Sequence, residues 1–337
     1  MHNATLARLT SRRRSTVLVT ALALIGVFVA ACGGSSGTSA SSGKGGLGTL
    51  NVVTVVPNSL LFIGVQAAQQ LGTWDGTGLK VNVINGTSPT AGQIMASGKA
   101  DIGLMDGNKA AANIVQGLPA KILASCISPW SQYIIASSKS GATKVQDLKG
   151  GTFGTTGVGS AGDYSAYKTA QALGWSKDDY KATPLSNLEG LRAALKAGSI
   201  DAFAWSSTTA FNLEATGEGR VLTSTRDFVG PNVFEAFTVM NKVAKERADA
   251  VRVFFEGYYK AIAKIKANPQ LAIDILTKDW QVNPVAAQKS VAADVPNLST
   301  DGKISDAEQQ GLADAVKFSI GKEPASPSSV YQYWQAP

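Results

Sequence analysis

Residues 145–163 of this 337-residue chain read VQDLKGGTFGTTGVGSAGD, and their order decides the fold class. The short run TFGT at 152–155 predicts a strand, which the Gly-rich turn after it ends. Ser160 and Asp163 favour the start of a helix, because both side chains can accept bonds from exposed backbone N–H groups. The stretch therefore predicts a strand–turn–helix unit of an α/β protein.

The same alternation extends in both directions from this unit, and the last third of the chain is helical. Strands are predicted at 50–56, 79–84, 101–105, 120–127, 133–137, 152–155, 182–185, 201–205, 220–223 and 233–240. Helices are predicted at 60–71, 88–95, 109–115, 163–173, 188–197, 208–215, 245–267, 269–279, 284–293 and 305–320. This order predicts a two-lobed α/β fold, each lobe a mostly parallel sheet flanked by helices, with a helical C-terminal tail.

Two extended segments, near residues 132–138 and 232–238, connect the halves of the pattern. They predict a discontinuous first lobe made of residues 49–134 and 236–337, and a second lobe made of residues 135–235. A cleft between two lobes is a preferred place for a small-molecule pocket.

The N-terminal segment has the pattern of an export signal. Residues 1–31 carry four Arg and no acid, and the apolar run at 17–31 is short for a membrane span. Small residues precede Cys32, which resembles a bacterial lipobox and implies cleavage before Cys32 and lipidation of its thiol. The Gly- and Ser-rich residues 32–48 then predict a flexible tether. An ordinary secretory signal with an incidental Cys, or a twin-arginine signal at Arg13-Arg14, are the alternatives.

Composition excludes several kinds of chemistry. The only histidine is His2, so a Ser-His-Asp triad or a His-ligated metal is not available to the folded body. The net charge of +7 falls to +3 once residues 1–31 are removed, which gives little reason to expect nucleic acid as a partner. The second cysteine, Cys126, lies in an apolar strand and is expected to be an inert buried thiol.

Three segments carry a family resemblance: GKADIG at 98–103, VQDLKG at 145–150 with the Gly/Ser turn after it, and LKAGSIDA at 195–202. In this order they resemble the nitrate/sulfonate/taurine and thiamine-precursor group of solute-binding proteins of ABC importers. The resemblance implies a type II periplasmic-binding-protein fold, hinged closure on a small molecule, and delivery to a membrane permease.

Candidate ligand-binding residues follow the strands, because ligands of open α/β sheets bind at the carboxyl ends of strands. The Gly-rich turn is the strongest candidate, since the N-terminus of a helix can bind an anion. Several candidates have a structural alternative: capping for Ser59, Asp106, Ser160 and Asp163, packing for the two Trp, and exposure to solvent for Glu235. The candidates are Asn58, Ser59, Asp106, Trp130, Ser131, Gly159, Ser160, Asp163, Trp205, Ser206 and Glu235.

The chemistry of these candidates indicates the kind of ligand. Cations are scarce near the predicted cleft loops, where only Lys109 occurs in the first lobe. Three acids and two Trp instead favour a neutral or nitrogen-containing organic compound, with a nitrate- or sulfonate-type anion as the alternative.

Residues 297–308 partly match a calcium-binding EF-hand loop, with Gly302 at the sixth position. The possible oxygen ligands are Asn297, Ser299, Asp301, Ser305 and Glu308. The alternative is a helix–helix turn in which Ser305 and Glu308 form a capping box.

The expected function is that of a lipid-anchored, extracytoplasmic receptor of an ABC importer. We expect a monomer without a cofactor whose partners are a small ligand and a permease. A pyrimidine-synthase-like enzyme on the same fold is one alternative, although that chemistry as known in the family depends on a histidine. A ligand-sensing lipoprotein without a transporter is the other.

Overall fold

The computed structural model describes residues 46–56 and 58–335, and strands and helices alternate through its first two thirds. The strands are β1 (Gly48–Thr54), β2 (Leu79–Asn85), β3 (Ile102–Asp106), β4 (Ala120–Ile127), β5 (Gln132–Ser137), β6 (Thr152–Thr155), β7 (Lys181–Pro184), β8 (Ala202–Ser206), β9 (Gly219–Ser224) and β10 (Glu235–Met240). The predicted strands are thus present to within a few residues at their ends.

The helices follow the predicted pattern as well. They are α1 (Ile63–Gln70), α2 (Ser88–Ala96), α3 (Gly107–Val115), α4 (Ala161–Ala172), α5 (Leu188–Ala197), α6 (Ser207–Ala215), α7 (Arg226–Val229), α8 (Asn241–Glu246), α9 (Ala248–Ala267), α10 (Gln270–Asp274), α11 (Pro284–Asp294), α12 (Asp306–Ile320) and α13 (Pro327–Val330). No helix in the described part of the chain is long and apolar enough to cross a membrane.

The strands form two five-stranded sheets, which we use to define two lobes. The sheet of the first lobe has the order β2-β1-β3-β10-β4, and that of the second lobe has the order β7-β6-β8-β5-β9. In each sheet the first three strands are parallel, and the fourth runs antiparallel to both of its neighbours. The predicted two-lobed α/β architecture is confirmed, with mixed rather than mostly parallel sheets.

The two reversed strands are those that enter a sheet from the other lobe. The chain leaves the first sheet after β4 at Ile127 and enters the second sheet with β5 at Gln132. It returns after α7, at Val229, and re-enters the first sheet with β10 at Glu235. Two short crossovers, 128–131 and 230–234, therefore connect the lobes and lie beside each other at the start of these strands.

The C-terminal helices cover the first lobe, and two of them also contact the second: Phe318 of α12 packs against Tyr164 and Tyr167 of α4, and α11 packs against α6. Phe237 of β10 packs edge-on against Phe254, Phe255 and Tyr258 of α9, so the apolar stripe of that helix is core. Helix α11 instead packs against α6 of the second lobe, where Lys289 forms an ion pair with Glu214 at 2.8 Å.

The helix predicted at 245–267 is interrupted near its start. Arg247 leaves the helical conformation, with φ −129°, and separates α8 from α9. Its guanidinium donates to the Leu47 carbonyl at 3.1 Å and lies 3.5 Å from the Asp101 carboxylate. These tertiary contacts to the edge of the first sheet favour the break over a continuous helix.

Candidate ligand-binding cleft

A cleft between the lobes is lined by the residues that directly follow the parallel strands. Its outer chamber has a volume of about 360 Å³, within the usual size range of small-molecule sites. Residues after β1 and β2 line one wall, and residues after β6 and β7, with Trp205 near the end of β8, line the other. The lining residues are Val55, Val56, Asn58, Gly86, Thr87, Ser88, Pro89, Thr156, Ser186, Asn187, Leu188, Glu189 and Trp205.

Behind this chamber lies an inner cavity of about 20 Å³, which is room for a single water molecule. It shares Val56, Ser88, Thr156 and Trp205 with the chamber. Its other lining residues are Leu61, Asp106, Gln132, Ala161, Gly162, Ser206, Phe234 and Glu235. The inner cavity therefore adjoins the outer chamber, and at this volume an organic ligand occupies it only if the cleft widens.

Two carboxyl groups face this inner cavity from the first lobe. Asp106 ends β3 and Glu235 begins β10, and the two are direct partners in the antiparallel ladder. Both are buried, with 5% and 1% of their surface exposed. The Ser88 hydroxyl donates to Asp106 Oδ2 at 2.5 Å. The geometry thus brings together two of the predicted residues, and Glu235 faces the cleft rather than solvent.

Burial and proximity keep this carboxyl pair from being fully ionised. Burial raises the pKa of Asp106, against the opposing effect of the Ser88 bond. Burial and then the negative charge of Asp106 raise the pKa of Glu235 well above its ordinary value. A hydrogen bond between the two carboxyls acts in the same sense on the pKa of Glu235 and lowers the pKa of Asp106.

Several buried polar atoms of the inner cavity have no hydrogen-bond partner among residues 46–56 and 58–335. They are Glu235 Oε2, Ser206 Oγ and Trp205 Nε1. Leaving a buried polar atom unpaired costs about 1–3 kcal/mol, so native structures rarely leave several together. A group of three around one cavity is the pattern expected where a ligand completes the bonding.

The Gly-rich turn before α4 uses its own N–H groups internally. Gly159 N–H donates to Asp163 Oδ2 at 2.9 Å, and Asp163 N–H donates to Ser160 Oγ at 3.3 Å. The Gly159 carbonyl accepts from Asn108 of the first lobe at 3.0 Å. These bonds match the capping alternative for Ser160 and Asp163, and they make Gly159 a contact between the lobes.

Trp130 and Ser131 lie in the hinge region rather than at the cleft surface. Trp130 is fully buried, its indole N–H donates to Ser165 Oγ at 2.9 Å, and its ring packs against Tyr164 and Phe234. This placement corrects the predicted stacking of Trp130 on a ligand and matches the packing alternative.

Asp294, which the sequence did not single out, connects three parts of the fold. From the end of α11 it accepts hydrogen bonds from Ser131 in the first crossover and from Ser207 at the start of α6. It is fully buried, and burial raises its pKa to about 6. Ser131 therefore has a structural partner and is not available to a ligand, which corrects its predicted role in binding.

The remaining predicted residues differ in their access to the cleft. Asn58 is exposed at the mouth, where it adopts a left-handed conformation with φ 59°. Ser59 is buried, and its hydroxyl has no partner within the described residues, but it lines neither the chamber nor the inner cavity. Eight residues that line the inner cavity were not among the predicted candidates: Val56, Leu61, Ser88, Gln132, Thr156, Ala161, Gly162 and Phe234.

The loop at 297–308 uses its side chains in local bonds. Ser305 and Glu308 form a reciprocal capping box at the start of α12, and Asp301 Oδ1 accepts from Lys303 N–H at 2.9 Å. Within the described ranges, no cluster of three or more His, Cys, Asp or Glu is placed to hold a metal ion. The geometry matches the turn alternative.

Comparison with known proteins places the chain in a family. Residues 60–272 match the NMT1/THI5-like family. The chain belongs to the NMT1/THI5-like family. The relationship predicted from the three sequence segments is thereby confirmed, and no curated protein matches the sequence.

Solved structures similar to this NMT1/THI5-like protein are named mainly as binding proteins. The ligand-binding component of an ABC-type import system from Staphylococcus aureus aligns with a TM-score of 0.74 at 15% identity, over 85% of this chain and 96% of that one. The alkanesulfonate-binding protein SsuA from Xanthomonas axonopodis pv. citri, bound to MOPS, aligns with a TM-score of 0.70 at 18% identity, over 84% of this chain and 98% of that one. The aliphatic sulphonate-binding protein SsuA from Escherichia coli aligns with a TM-score of 0.70 at 15% identity, over 86% of this chain and 94% of that one. The chain thus has the periplasmic-binding-protein fold.

The predictions on the N-terminal segment lie outside the described residues. They comprise the signal peptide at 1–31, lipidation of Cys32 and the tether up to residue 45. The segment 46–48 is described, and Gly48 already begins β1.

Proposed function

We propose that this chain is an extracytoplasmic solute-binding receptor of an ABC importer, which closes two lobes on a small organic nutrient and delivers it to a permease. The observation that carries the proposal is the group of buried polar atoms beside the inner cavity that have no hydrogen-bond partner in the described part of the chain. The names of the similar solved structures support the same class of protein.

The way the lobes are joined supports closure by hinge motion. Two short crossovers connect them. The Lys289–Glu214 ion pair and the bonds of Asn283 with Asn212 and of Ser207 with Asp294 join the lobes at residues that do not line the cleft. Two further polar bonds connect the lobes. Asn108 donates to the Gly159 carbonyl at 3.0 Å, and Leu60 N–H donates to Thr208 Oγ1 at 3.2 Å. Breaking such bonds costs about 1 kcal/mol each, so opening is accessible. We propose the predicted lobes, 49–134 with 236–337 and 135–235, with their bounds shifted so that all of β5 lies in the second lobe and all of β10 in the first, and with the crossovers as hinges.

An enzymatic function on the same fold is the first alternative. The folded body has no histidine to act as a general base, since His2 is the only one in the sequence. Cys126 is a candidate nucleophile by residue type, but it is fully buried, and burial raises the pKa of its thiol. A thiol held protonated is a poor nucleophile, so the arrangement favours binding over catalysis.

We also propose that residues 1–31 are a lipoprotein signal peptide and that lipidated Cys32 anchors the chain to the cell membrane. The small residues before Cys32 and the Gly/Ser-rich segment after it support this. Cell fractionation of a Cys32→Ser variant tests it, and a variant that stays in the membrane fraction would contradict it.

Native mass spectrometry followed by uptake measurements tests the receptor function. Purification without dialysis is expected to retain a small molecule, which extraction then identifies. Cells that lack the gene are expected to lose uptake of that compound and to recover it with the wild-type chain. Unchanged uptake despite binding would favour the ligand-sensing lipoprotein, and conversion of the compound during incubation would favour the enzyme.

A further inference from the structure

We propose that the ligand is a small organic cation, and that its positively charged N–H group binds between the Asp106 and Glu235 carboxyls. This inference rests on the proposed receptor function and deepens it by naming the ligand class. An amidine- or guanidine-type group, with two N–H donors on one plane, matches two adjacent carboxyls best.

The position of the two carboxyls is unfavourable unless something binds them. They are direct partners on neighbouring antiparallel strands, where two ionised carboxyls would repel each other. Both are almost fully buried, which adds the cost of removing a charge from water. Glu235 Oε2 faces the inner cavity without a partner in the described part of the chain. The pair therefore has an unused capacity to accept hydrogen bonds.

No built-in cation neutralises this pair. Among residues 46–56 and 58–335, neither Asp106 nor Glu235 takes part in an ion pair. Lys109, one turn along α3, acts on Asp106 only through its electrostatic field. Whenever one of these carboxyls is ionised, its charge has no ion-pair partner within the described residues, and a ligand cation supplies one when it binds. A buried charge is stable when it is paired and hydrogen-bonded, so a cation gains more here than a neutral compound does.

The same geometry disfavours an anion. The N-terminus of α4 in the second lobe, where an anion would be stabilised, points at the cleft opposite the first lobe. Here the Ala161 N–H at this terminus acts on the Asp106 carboxyl as a hydrogen-bond donor. A carboxylate of the protein already takes the position that an anionic ligand needs. A sulfonate would have to displace it and would be repelled by the charge of the pair.

The apolar and aromatic residues of the inner cavity favour a partly apolar ligand. Phe234, Val56 and Leu61 line it together with the Trp205 ring. An aromatic wall stabilises a delocalised cation through its π-face. The unpaired Trp205 indole N–H and Ser206 hydroxyl also require a hydrogen-bond acceptor on the ligand. The ligand class is therefore a planar cation with at least one acceptor atom.

Competitive equilibrium dialysis of the full chain against a defined pool tests the proposal. The pool contains metabolite-sized amines, amidines and guanidines, neutral amides and sugars, and sulfonates and carboxylates. It includes benzamidine, benzamide and benzenesulfonate as a matched set that differs in charge. We expect the retained compounds to be cations. Glu235→Gln and Asp106→Asn are expected to weaken their binding about 10- to 100-fold, as removal of a charged hydrogen-bond partner does. Glu256→Gln, an exposed acid on α9 that pairs with Arg252, is the matched control and should bind as the wild type does.

Each outcome decides between the two levels of the proposal. Retention of sulfonates or carboxylates would overturn the cation assignment and leave the receptor function standing. Cations that bind both cleft variants as tightly as the wild type would overturn the role of the carboxyl pair. Retention of no compound by a folded wild-type chain would overturn the receptor function and the inference with it. Circular dichroism of each variant establishes that it is folded.

Discussion

The cleft and the hinge of this protein each bury carboxyl groups, but they partner them differently. In the hinge, Asp294 accepts bonds from two serine hydroxyls, Ser131 and Ser207. In the cleft, Glu235 keeps an oxygen without a partner in the described part of the chain. The difference is visible even between adjacent residues, because Ser207 bonds Asp294 whereas the hydroxyl of Ser206 is unpaired.

This contrast separates structural from ligand-binding burial. A buried carboxyl whose bonds are satisfied within the fold stabilises the arrangement of the elements that supply them. A buried carboxyl with unused bonding capacity destabilises the empty protein and stabilises a complex. If the comparison holds, substitutions at the two places have opposite effects on the stability of the ligand-free protein.

The largest expected change in the free energy of unfolding comes from replacing Asp294, which accepts the two serine hydrogen bonds in the hinge. Asp294→Ala should lower the free energy of unfolding by about 4 kcal/mol, because two buried hydroxyls lose their acceptor and a cavity remains. Urea unfolding at pH 5, followed by Trp fluorescence, measures this. Asp314→Ala on the exposed face of α12 is the control and should change the free energy by less than about 0.5 kcal/mol. Equal losses of unfolding free energy in Asp294→Ala and Asp314→Ala would contradict a specific stabilising role of the Asp294 hydrogen bonds.

A pH profile tests the same residue by its charge. In the folded protein the pKa of Asp294 is raised to about 6 from the ordinary 3.8. Between these values the folded state holds a proton that the unfolded state has lost, so stability falls as pH rises through this window. The loss is about 3 kcal/mol between pH 4 and 7.

Asp294→Asn isolates this contribution, because its side chain is neutral at every pH. Asp106, Asp163 and Glu235 also titrate, but they do so in both proteins and cancel in the difference. The wild type should therefore lose about 3 kcal/mol relative to the variant as pH rises from 4 to 7. A pH-independent difference in urea midpoints would show that Asp294 keeps an ordinary pKa.

The sequence was sufficient to predict the fold and several of the residues that line the inner cavity. Strand ends are visible in a sequence, and ligands bind beyond the carboxyl ends of parallel strands. This rule located Asp106 after β3 and Trp205 and Ser206 at the end of β8, all of which line the inner cavity. Ser88 follows β2 in the same way and could have been found by the same rule.

Orientation and long-range pairing could not be read from the sequence. Glu235 faces the cleft because the register of β10 sets it opposite Asp106, and that register is a tertiary property. Trp130 was predicted to touch a ligand, but Ser165 of α4 provides a partner for its indole N–H in the core. Asp294 gave no signal, since its two serine partners lie in distant parts of the chain.

The smallest expected effect is also the sharpest, because its sign is reversed. Glu235→Gln should raise the free energy of unfolding of the ligand-free protein by about 1 kcal/mol at pH 7. The substitution replaces a buried carboxyl, which can ionise beside Asp106, with an uncharged amide whose N–H can donate to Asp106.

Urea unfolding of the dialysed protein measures this. Glu256→Gln, at an exposed position of α9, is the control that should leave the free energy of unfolding unchanged. A loss of stability as large as that of Asp294→Ala would mean that Glu235 is satisfied within the fold. A gain in stability together with a loss of cation binding would instead show that Glu235 is a ligand-binding residue. Such a residue lowers the free energy of unfolding of the ligand-free protein, and ligand binding offsets that loss.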